Sequence, residues 1–386
     1  MLRFLTAGES HGPALTAVIE GVPAGLTLTA EAINHDLARR QVGYGRGKRM
    51  EIEKDEVEIL SGVRFAKTLG TPVSLLIHNL DWPNWQHKMC AAPIRKCTAI
   101  PITEPRPGHA DLPGALKYDQ KDIRNILERA SARETTTRVA VGAVCRRFLS
   151  TFGIQISSYV TEIGSVRIPC SSLDLKTRCI SAERSDLRCS CPEIEKKIKK
   201  RIDTCKLQGD SLGGVFEVVA TGLPVGLGSY SQWDTRLDGR LAQAVMSIQA
   251  IKGVEIGLGF ESARIRGSRV HDEIFHAKNR GFFRKTNNAG GIEGGISNGK
   301  PLIIRAAMKP IATLYSPLRS VDIITKKPVK ATVERSDICR VPSAAIIGEA
   351  MVAIELSKVM LEKFGADSMR EIAKNFKAYT SYIAKF

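Results

Sequence analysis

The sequence predicts an α+β fold, and three observations support this prediction. Polar and apolar residues alternate over 51–61, as they do in a half-buried strand. Residues 120–149 contain no proline and a single glycine, and residues 342–361 are strongly apolar, so both segments are expected to be long helices. The predicted strands and helices do not alternate in the steady order of a doubly wound sheet, which favours segregated layers.

The first half of the chain supplies three further strands and one short helix. The helix is expected over 30–40, because Thr29 can cap its start and the loop around Gly43 ends it. The strands are predicted at 2–6, 71–78 and 154–162.

The second half contains a polar, cysteine-rich segment, 163–208, in which a lysine-rich helix begins at Pro192. We expect this segment to be a variable insertion within a single catalytic domain, 1–365, that is followed by a basic tail, 366–386. A glycine-rich loop is expected over 279–300. The remaining elements are predicted as strands at 215–220 and 301–308, a helix over 234–252 that stops at Gly253, a helix from Pro342 to about Leu361 and a helical tail after Gly365.

The composition is that of an ordinary globular protein with a formal charge of +17. Such a charge implies an anionic partner, either a nucleic acid or a multiply anionic small molecule. No apolar run reaches the roughly 18–20 residues that span a bilayer, and the N-terminal residues resemble no signal peptide. We therefore expect a cytoplasmic protein, or a plastid protein if a transit peptide precedes this sequence.

Nine cysteines are expected to be reduced thiols in that compartment. Cys189 and Cys191 could form a metal-binding pair, but no second pair with zinc-ligand spacing accompanies them. No metal site is predicted.

The segment 105–112, PRPGHADL, carries the strongest signal for function. Prolines stiffen the backbone on both sides of Arg106, and Gly108 releases it just before His109. The segment therefore presents a cation and an imidazole side by side. A plain turn with an exposed histidine is the alternative interpretation.

Other short segments add titratable groups. His11 lies between glycines in GESHG at 8–12, where it could act as a general acid or have a structural role. Arg129 and Arg133 are four residues apart on the predicted long helix, so they could share a face and bind an anion, or pair with neighbouring glutamates. Asp337 lies shortly before the helix at Pro342 and could relay a proton or cap that helix.

These segments together resemble the chorismate synthase family nearly end to end, over about residues 1–365, most weakly at 163–208. The matching segments are GESHG at 8–12, RPGHAD at 106–111, ERASARET at 128–135, GDSLGG at 209–214, MSIQA at 246–250, AGGIEGGISNG at 289–299 and ERSD at 334–337. The resemblance implies a β-α-β sandwich, with antiparallel sheets around central long helices, usually assembled as a homotetramer. It also implies the last step of the shikimate pathway, in which 5-enolpyruvylshikimate 3-phosphate loses phosphate and its C6 proton by anti 1,4-elimination to give chorismate.

The resemblance further implies a requirement for reduced FMN and assigns roles to residues of this sequence. His11 would protonate the leaving phosphate, His109 would set the protonation of the reduced flavin, and Asp337 would relay the C6 proton by way of flavin N5. The substrate or NADP contacts would be Ser10, Arg40, Arg46, Arg49, Arg106 and Arg133, the first two of these arginines being tied to NADP. The flavin contacts would be Arg129, Ala130, Ser131, Gln249, Ala250, Gly294, Lys309, Pro310, Ile311, Ala312, Thr313 and Arg335.

Two other classes of protein compete with this interpretation. A nucleic-acid-binding protein is disfavoured because the arginines lie in glycine and proline loops without interleaved aromatic residues. An ordinary flavin oxidoreductase is disfavoured because cations suited to phosphate departure outnumber the features of a hydride-donor site. No added reductase domain is evident, so we expect a monofunctional enzyme, with NADPH as a further candidate ligand. Glu104 departs from the basic residue common in the family and could weaken a substrate contact.

Overall fold

A computed structural model of the chain describes residues 2–46, 52–89, 91, 100–169, 173–278 and 280–386. Two antiparallel sheets form its outer layers. The first sheet has strands β1 (Arg3–Ala7), β2 (Ala14–Glu20), β3 (Val57–Ser61) and β4 (Val73–His78), in the order β1-β2-β4-β3. The second has β5 (Gln155–Ile163), β6 (Val166–Arg167), β7 (Gly214–Thr221), β8 (Ile251–Ile256) and β9 (Leu302–Met308), in the order β8-β9-β7-β5-β6.

Nine longer helices accompany the sheets in the described part of the chain. They are α1 (Ala30–Gln41), α2 (Asp111–Lys117), α3 (Arg124–Ala130), α4 (Thr135–Ser150), α5 (Leu175–Glu183), α6 (Pro192–Leu207), α7 (Leu237–Met246), α8 (Val341–Phe364) and α9 (Met369–Ile383). Short hairpins pair Val63–Arg64 with Lys67–Thr68, Ile274–Ala277 with Gly281–Arg284, Ile292–Glu293 with Ile296–Ser297, and Arg319–Val321 with Pro328–Lys330. Short helical segments of one or two turns occur at Trp82–Asn84, Gln86–Met89, Ala132–Glu134, Trp233–Thr235, Gly259–Arg264 and Gly267–Val270.

The core lies between the sheets and is built around α4 and α8. Helix α4 packs on the first sheet, α8 packs on the second, and the two helices contact each other. Helix α8 is buried around almost its whole circumference, as expected for an apolar helix enclosed on all sides. This arrangement confirms the α+β prediction and the β-α-β sandwich implied by the family resemblance.

Two glycines allow these layers to approach closely. A Cβ added to Gly142 of α4 would lie 2.5 Å from the Ala350 Cα of α8. A Cβ added to Gly348 of α8 would lie 2.8 Å from the Phe216 ring on β7. The absence of a side chain at Gly142 therefore allows the close spacing of α4 and α8, and its absence at Gly348 allows the close spacing of α8 and the second sheet.

We expect Gly142→Ala to destabilise the protein by about 1–3 kcal/mol, because the new methyl group overpacks the contact between α4 and α8. Gly239→Ala is the matched control, since Gly239 is exposed on α7 and alanine is the better helix former there by roughly 0.5–1 kcal/mol. Denaturant unfolding of both variants measures the difference. Equal stability of the two variants would show that the helix contact tolerates a methyl group.

The predicted helix over 120–149 is wrong as a single element. Ser131 adopts an extended conformation (φ −61°, ψ 143°), and its side chain accepts a hydrogen bond from the Arg133 backbone N–H. This local capping bond competes with helix continuation and separates α3 from α4. Arg129 and Arg133 therefore do not share a face of one helix.

Other predicted boundaries also need correction. Helix α7 ends at Met246, and Ala250 then turns the chain with φ 68°, so Gly253 lies within β8 rather than after a helix. The predicted strand 51–61 is regular only from Val57. Glu53 and Asp55, the polar members of its alternating pattern, are buried. The glycine-rich segment 279–300 includes hairpin strands.

The segment 163–208 and the chain end both pack against the core. Helix α6 buries Ile198 and Ile202 and leaves Lys196 and Lys200 exposed, so its lysine-rich side faces solvent. The Phe376 ring of α9 packs 5.2 Å from Phe152, between ring centroids. Among the described residues, no helix combines the length and the apolar character needed to cross a membrane.

Candidate active site

A cleft of about 310 Å³ opens among the loops at one end of the sandwich. Its walls come from the loop after β1, the segment 106–110, the break between α3 and α4, the turn before β8, the segment after β9 and the approach to α8. The predicted residues that line it are Ser10, His11, Arg106, His109, Ala130, Ser131, Gln249, Ala250, Lys309, Pro310, Ile311, Ala312, Thr313, Arg335 and Asp337. Segments more than 300 residues apart in sequence therefore meet in one place.

His11 is held by a buried carboxylate. Its Nδ1 lies 3.0 Å from both carboxylate oxygens of Glu128, and its backbone N–H donates to Glu128 Oε2 at 2.8 Å. Burial disfavours ionisation of Glu128, but contacts with His11 and Arg124 prevail and lower its pKa. Because ionised Glu128 engages Nδ1, a proton exchanged with the cleft would pass through Nε2.

His109 is paired in the same way with Asp111. Its Nδ1 lies 2.6 Å from Asp111 Oδ1, while the Arg106 guanidinium donates to both oxygens of that carboxylate. Arg106 also approaches His109 Nδ1 at 3.0 Å. One nitrogen cannot donate to Asp111 and accept from Arg106 at once, and the shorter contact identifies Asp111 as its hydrogen-bond partner. Burial opposes ionisation of Asp111, yet His109 and Arg106 hold its pKa well below the usual range.

Arg106 has a second partner, Thr313, at 2.8 Å. The guanidinium therefore links the loop that bears His109 to the segment after β9. Lys309 reinforces this link by donating to the Gly108 carbonyl. Both cations line the cleft while they fasten its walls together.

Asp337 is buried at the base of the cleft, where two arginines flank it. Arg340 Nε lies 2.6 Å and Arg46 Nε 3.4 Å from Asp337 Oδ2. Arg340 directly precedes α8, a position where a positive charge opposes the helix dipole. The pairing with Asp337 offsets that cost.

Arg40 and Arg46 line a smaller cavity, about 20 Å³, that adjoins the cleft at Arg340. Burial lowers the pKa of Arg40 to about 9, although Asp55 opposes the shift. Arg46 and Arg340 add to the lowering through charge repulsion. Arg40 stays charged at neutral pH, so several cations converge here and favour an anionic ligand.

Three predicted residues lie elsewhere. Arg129 donates to the Thr6 and Gly8 carbonyls and so fastens the loop after β1. Arg133 donates to Asn79 Oδ1 at 2.8 Å inside a buried network with Asp55. Gly294 lies at a hairpin turn that does not line the cleft. Arg49 falls outside the described residues.

Several lining or supporting residues were not predicted. Trp85, Glu334 and Arg340 line the cleft, and Glu128 and Asp111 hold the two histidines. Both carboxylates stood within matching segments. Nothing in local sequence paired Glu128 with His11, whereas Asp111 follows His109 by two residues, a spacing that could have indicated the contact. The three-residue spacing of Arg340 from Asp337 was a similar local signal for their ion pair.

Glu104 lies beside the cleft rather than in its lining. Its Oε2 accepts a hydrogen bond from Thr332 Oγ1 at 3.2 Å, and its backbone carbonyl accepts from the Thr332 N–H. Because Glu104 does not line the cleft, we expect Glu104→Lys to change the KM for substrate by less than roughly threefold. For comparison, the gain or loss of a direct contact worth about 1.4 kcal/mol would change KM tenfold. Steady-state kinetics at fixed flavin concentration measure this. A tenfold lower KM in the variant would show that Glu104 repels the substrate.

The cleft combines two carboxylate-paired histidines, a buried aspartate and converging arginines, which are groups suited to acid–base chemistry on an anionic substrate. Comparisons with known proteins identify the protein further. A sequence profile of the chorismate synthase family matches residues 2–361. The chorismate synthase of Geobacter sulfurreducens is 59% identical over 393 residues, with 100% of both chains covered. That of Aquifex aeolicus is 57% identical over 397 residues, covering 100% of this chain and 99% of its own.

A solved structure described as a crystal structure of chorismate synthase superposes with a TM-score of 0.81 at 49% identity. The match covers 100% of this chain and 99% of the other. The chain belongs to the chorismate synthase family. It is therefore a lyase of a family that uses reduced flavin in the final step of the shikimate pathway.

Proposed function

We propose that the cleft converts 5-enolpyruvylshikimate 3-phosphate to chorismate, with His11, His109 and Asp337 as its acid–base groups. The observation that carries this proposal is that His11 and Asp337 line one cleft together with Arg335 and Arg340. The elimination needs a proton for the leaving phosphate, an acceptor for the C6 proton and fixed cations for the departing charge. All three are supplied by side chains of this cleft.

His11 is the group suited to the leaving phosphate. Glu128, whose pKa is lowered, stays ionised and holds the Nδ1 edge of His11. In the proposed step, His11 donates its Nε2 proton to a phosphate oxygen and takes up another after the product leaves. Trp85 covers the ring and limits competing contact with water.

Asp337 is the group suited to the C6 proton. It is 3% exposed, so its carboxylate is sheltered from bulk water. Arg340 and Arg46 lie beside its Oδ2 and hold the carboxylate in place. In the proposed step, the C6 proton passes to Asp337, which releases it to solvent after the product leaves.

The arginines anchor the anionic groups of the substrate. Arg335 and Arg340 line the cleft, and Arg40 and Arg46 line the cavity beside it. Guanidinium groups bind phosphate and carboxylate in bidentate fashion, so they fix orientation as well as charge. Arg106 and Arg133 contribute through the network that holds the walls.

The reduced flavin is proposed to be FMN, and the cleft residues fit such a group. Ala130, Ala250, Pro310, Ile311 and Ala312 provide apolar wall suited to a flat ring. Gln249 Oε1 is buried without a hydrogen-bond partner among the described residues, which suits an N–H donor on a ligand. The remaining candidate contacts are Ser131, Lys309, Thr313 and Arg335, with His109 on the same wall.

When bound, reduced FMN supplies electron density to the reacting ring without net oxidation. His109 is held by Asp111 at a fixed orientation and can exchange a proton with a group in the cleft through Nε2. Arg129 supports the site by fastening the loop that carries Ser10 and His11. Roles for Gly294 and Arg49 in ligand binding stay predictions, as do NADPH as flavin reductant, a homotetramer and a cytoplasmic location.

The test is anaerobic turnover of 5-enolpyruvylshikimate 3-phosphate with chemically reduced FMN, with and without NADPH. We expect phosphate and chorismate to appear in equal amounts, and oxidised FMN alone to give neither product. Turnover from oxidised FMN plus NADPH would show an intrinsic reductase activity. Failure to release phosphate with reduced FMN would overturn the proposed function.

A further inference from the structure

Trp85 forms an aromatic stack with the proposed general acid. It follows the helical turn Trp82–Asn84 after β4 and lines the cleft. Its ring lies 3.8 Å from the His11 ring between centroids, with an angle of 24° between the planes. This separation is close for stacked rings, so the indole covers one face of the imidazole.

The indole is itself held in place at its polar end. Its Nε1–H donates to Asp81 Oδ2 at 3.1 Å, and the Trp85 backbone N–H donates to the Trp82 carbonyl at 2.8 Å. Asp81 also accepts from Asn84 at 2.8 Å and lies 3.6 Å from Arg335 of the cleft wall. The stack is therefore built on a fixed support.

Arg124 connects the stack to the carboxylate behind His11. Its guanidinium carbon lies 5.1 Å from the centre of the Trp85 ring, and Nη1 donates to Glu128 Oε1 at 2.9 Å. Glu128 in turn contacts His11 Nδ1. These contacts form a ring that runs from Trp85 to Arg124, Glu128, His11 and back to Trp85.

The contacts of His11 with Glu128 and with Trp85 act on different degrees of freedom of the imidazole ring. The contact with Glu128 fixes the direction of Nδ1 but allows the ring to swing about that contact. The flat face of Trp85 removes the swing, because tilting the imidazole would push its edge into the indole. Together, the contacts with Glu128 and Trp85 aim Nε2 at one point in the cleft.

We propose that Trp85 is a positioning residue for His11, which fixes the plane of the imidazole so that Nε2 meets the leaving phosphate. This inference rests on the proposed function of His11. Misplacement of a catalytic group by about 1 Å can cost about 100-fold in rate. Trp85 should therefore affect the chemical step more than substrate binding.

Comparing Trp85→Leu with Trp85→Phe distinguishes the effect of aromatic stacking on His11 from the effect of apolar side-chain volume. Trp85→Leu is expected to lower kcat by about 10- to 100-fold with KM changed by less than about threefold. Trp85→Phe retains a flat ring and is expected to keep kcat within about threefold of wild type. Trp233→Leu is the control for the same change at a site that is 82% exposed, and should match wild type. Trp85→Met replaces the leucine variant if that variant is unfolded by circular dichroism.

A double-mutant cycle with His11→Ala decides whether Trp85 acts through His11. If it does, His11→Ala with Trp85→Leu is as active as His11→Ala alone, within about twofold. A further 10-fold loss in the double variant, a phenylalanine variant as impaired as the leucine variant, or a change confined to KM would each overturn the positioning role. Wild-type turnover in His11→Ala alone would instead overturn the proposed role of His11.

Discussion

Replacing His11 with alanine is expected to lower kcat by about 100- to 10,000-fold, the range typical for loss of one acid–base group. The variant lacks the proposed proton donor for the leaving phosphate, while the arginines proposed to bind the anionic groups are unchanged. The KM for substrate should therefore change much less than kcat. Anaerobic turnover with chemically reduced FMN, followed by phosphate release, measures both parameters.

His35→Ala is the control for the His11 variant. The His35 side chain is 73% exposed on α1, where it contacts Asp36, and its removal should leave turnover unchanged. Glu128→Gln provides a second check, because it keeps the size of the side chain but removes the charge that faces His11 Nδ1. If His11→Ala turned over substrate at the wild-type rate, another group would have to protonate the phosphate.

Asp337→Asn is expected to lower turnover by about 100- to 10,000-fold without preventing ternary-complex formation. Asparagine retains the shape of the side chain but cannot take up a proton. Arg46 and Arg340 lose their carboxylate partner in this variant, so their attraction for an anionic substrate should be maintained or increased. Isothermal titration with substrate in the presence of flavin measures binding separately from turnover.

A kinetic isotope effect identifies the slowed step in the Asp337 variant. With substrate deuterated at C6, the effect should be larger in Asp337→Asn than in wild type, because proton removal becomes more rate-limiting. Asp203→Asn is the control, as Asp203 is exposed on α6 and contacts Tyr44. Unchanged turnover together with an unchanged isotope effect would leave Asp337 as a structural carboxylate.

Short-range patterns predicted most elements but misplaced several ends. Thr29 was predicted to cap α1, and its side chain does accept from the Ala32 N–H at 3.3 Å. Ser131 provides the opposite case, since its bond to the Arg133 N–H interrupts a segment that composition alone presented as continuous helix. The residue composition of a segment does not reveal which serine side chain will form a hydrogen bond with a nearby backbone group.

The residues of the candidate site, like the helices and strands, were predicted in part from the sequence. The matching segments nominated His11, His109 and Asp337, and all three line one cleft. The four-residue spacing of Arg129 and Arg133 suggested that they share an anion or pair with neighbouring glutamates, and the resemblance assigned Arg129 to flavin and Arg133 to substrate. Folding directs their side chains to the loop after β1 and to Asn79 instead.

The sequence by itself determined the fold class, the family and the residue types of the site, because alternating and helical apolar patterns and long ordered motifs are local properties of the chain. Only the tertiary structure decided that Glu128 and Asp111 hold the histidines, that Arg340 flanks Asp337 and that Trp85 covers His11. These contacts join segments separated by up to about 120 residues, or depend on side-chain direction at a helix start. The physical reason is that hydrogen bonds, ion pairs and ring contacts act through space over a few ångströms, and which groups come that close is settled by the packing of the two sheets around α4 and α8.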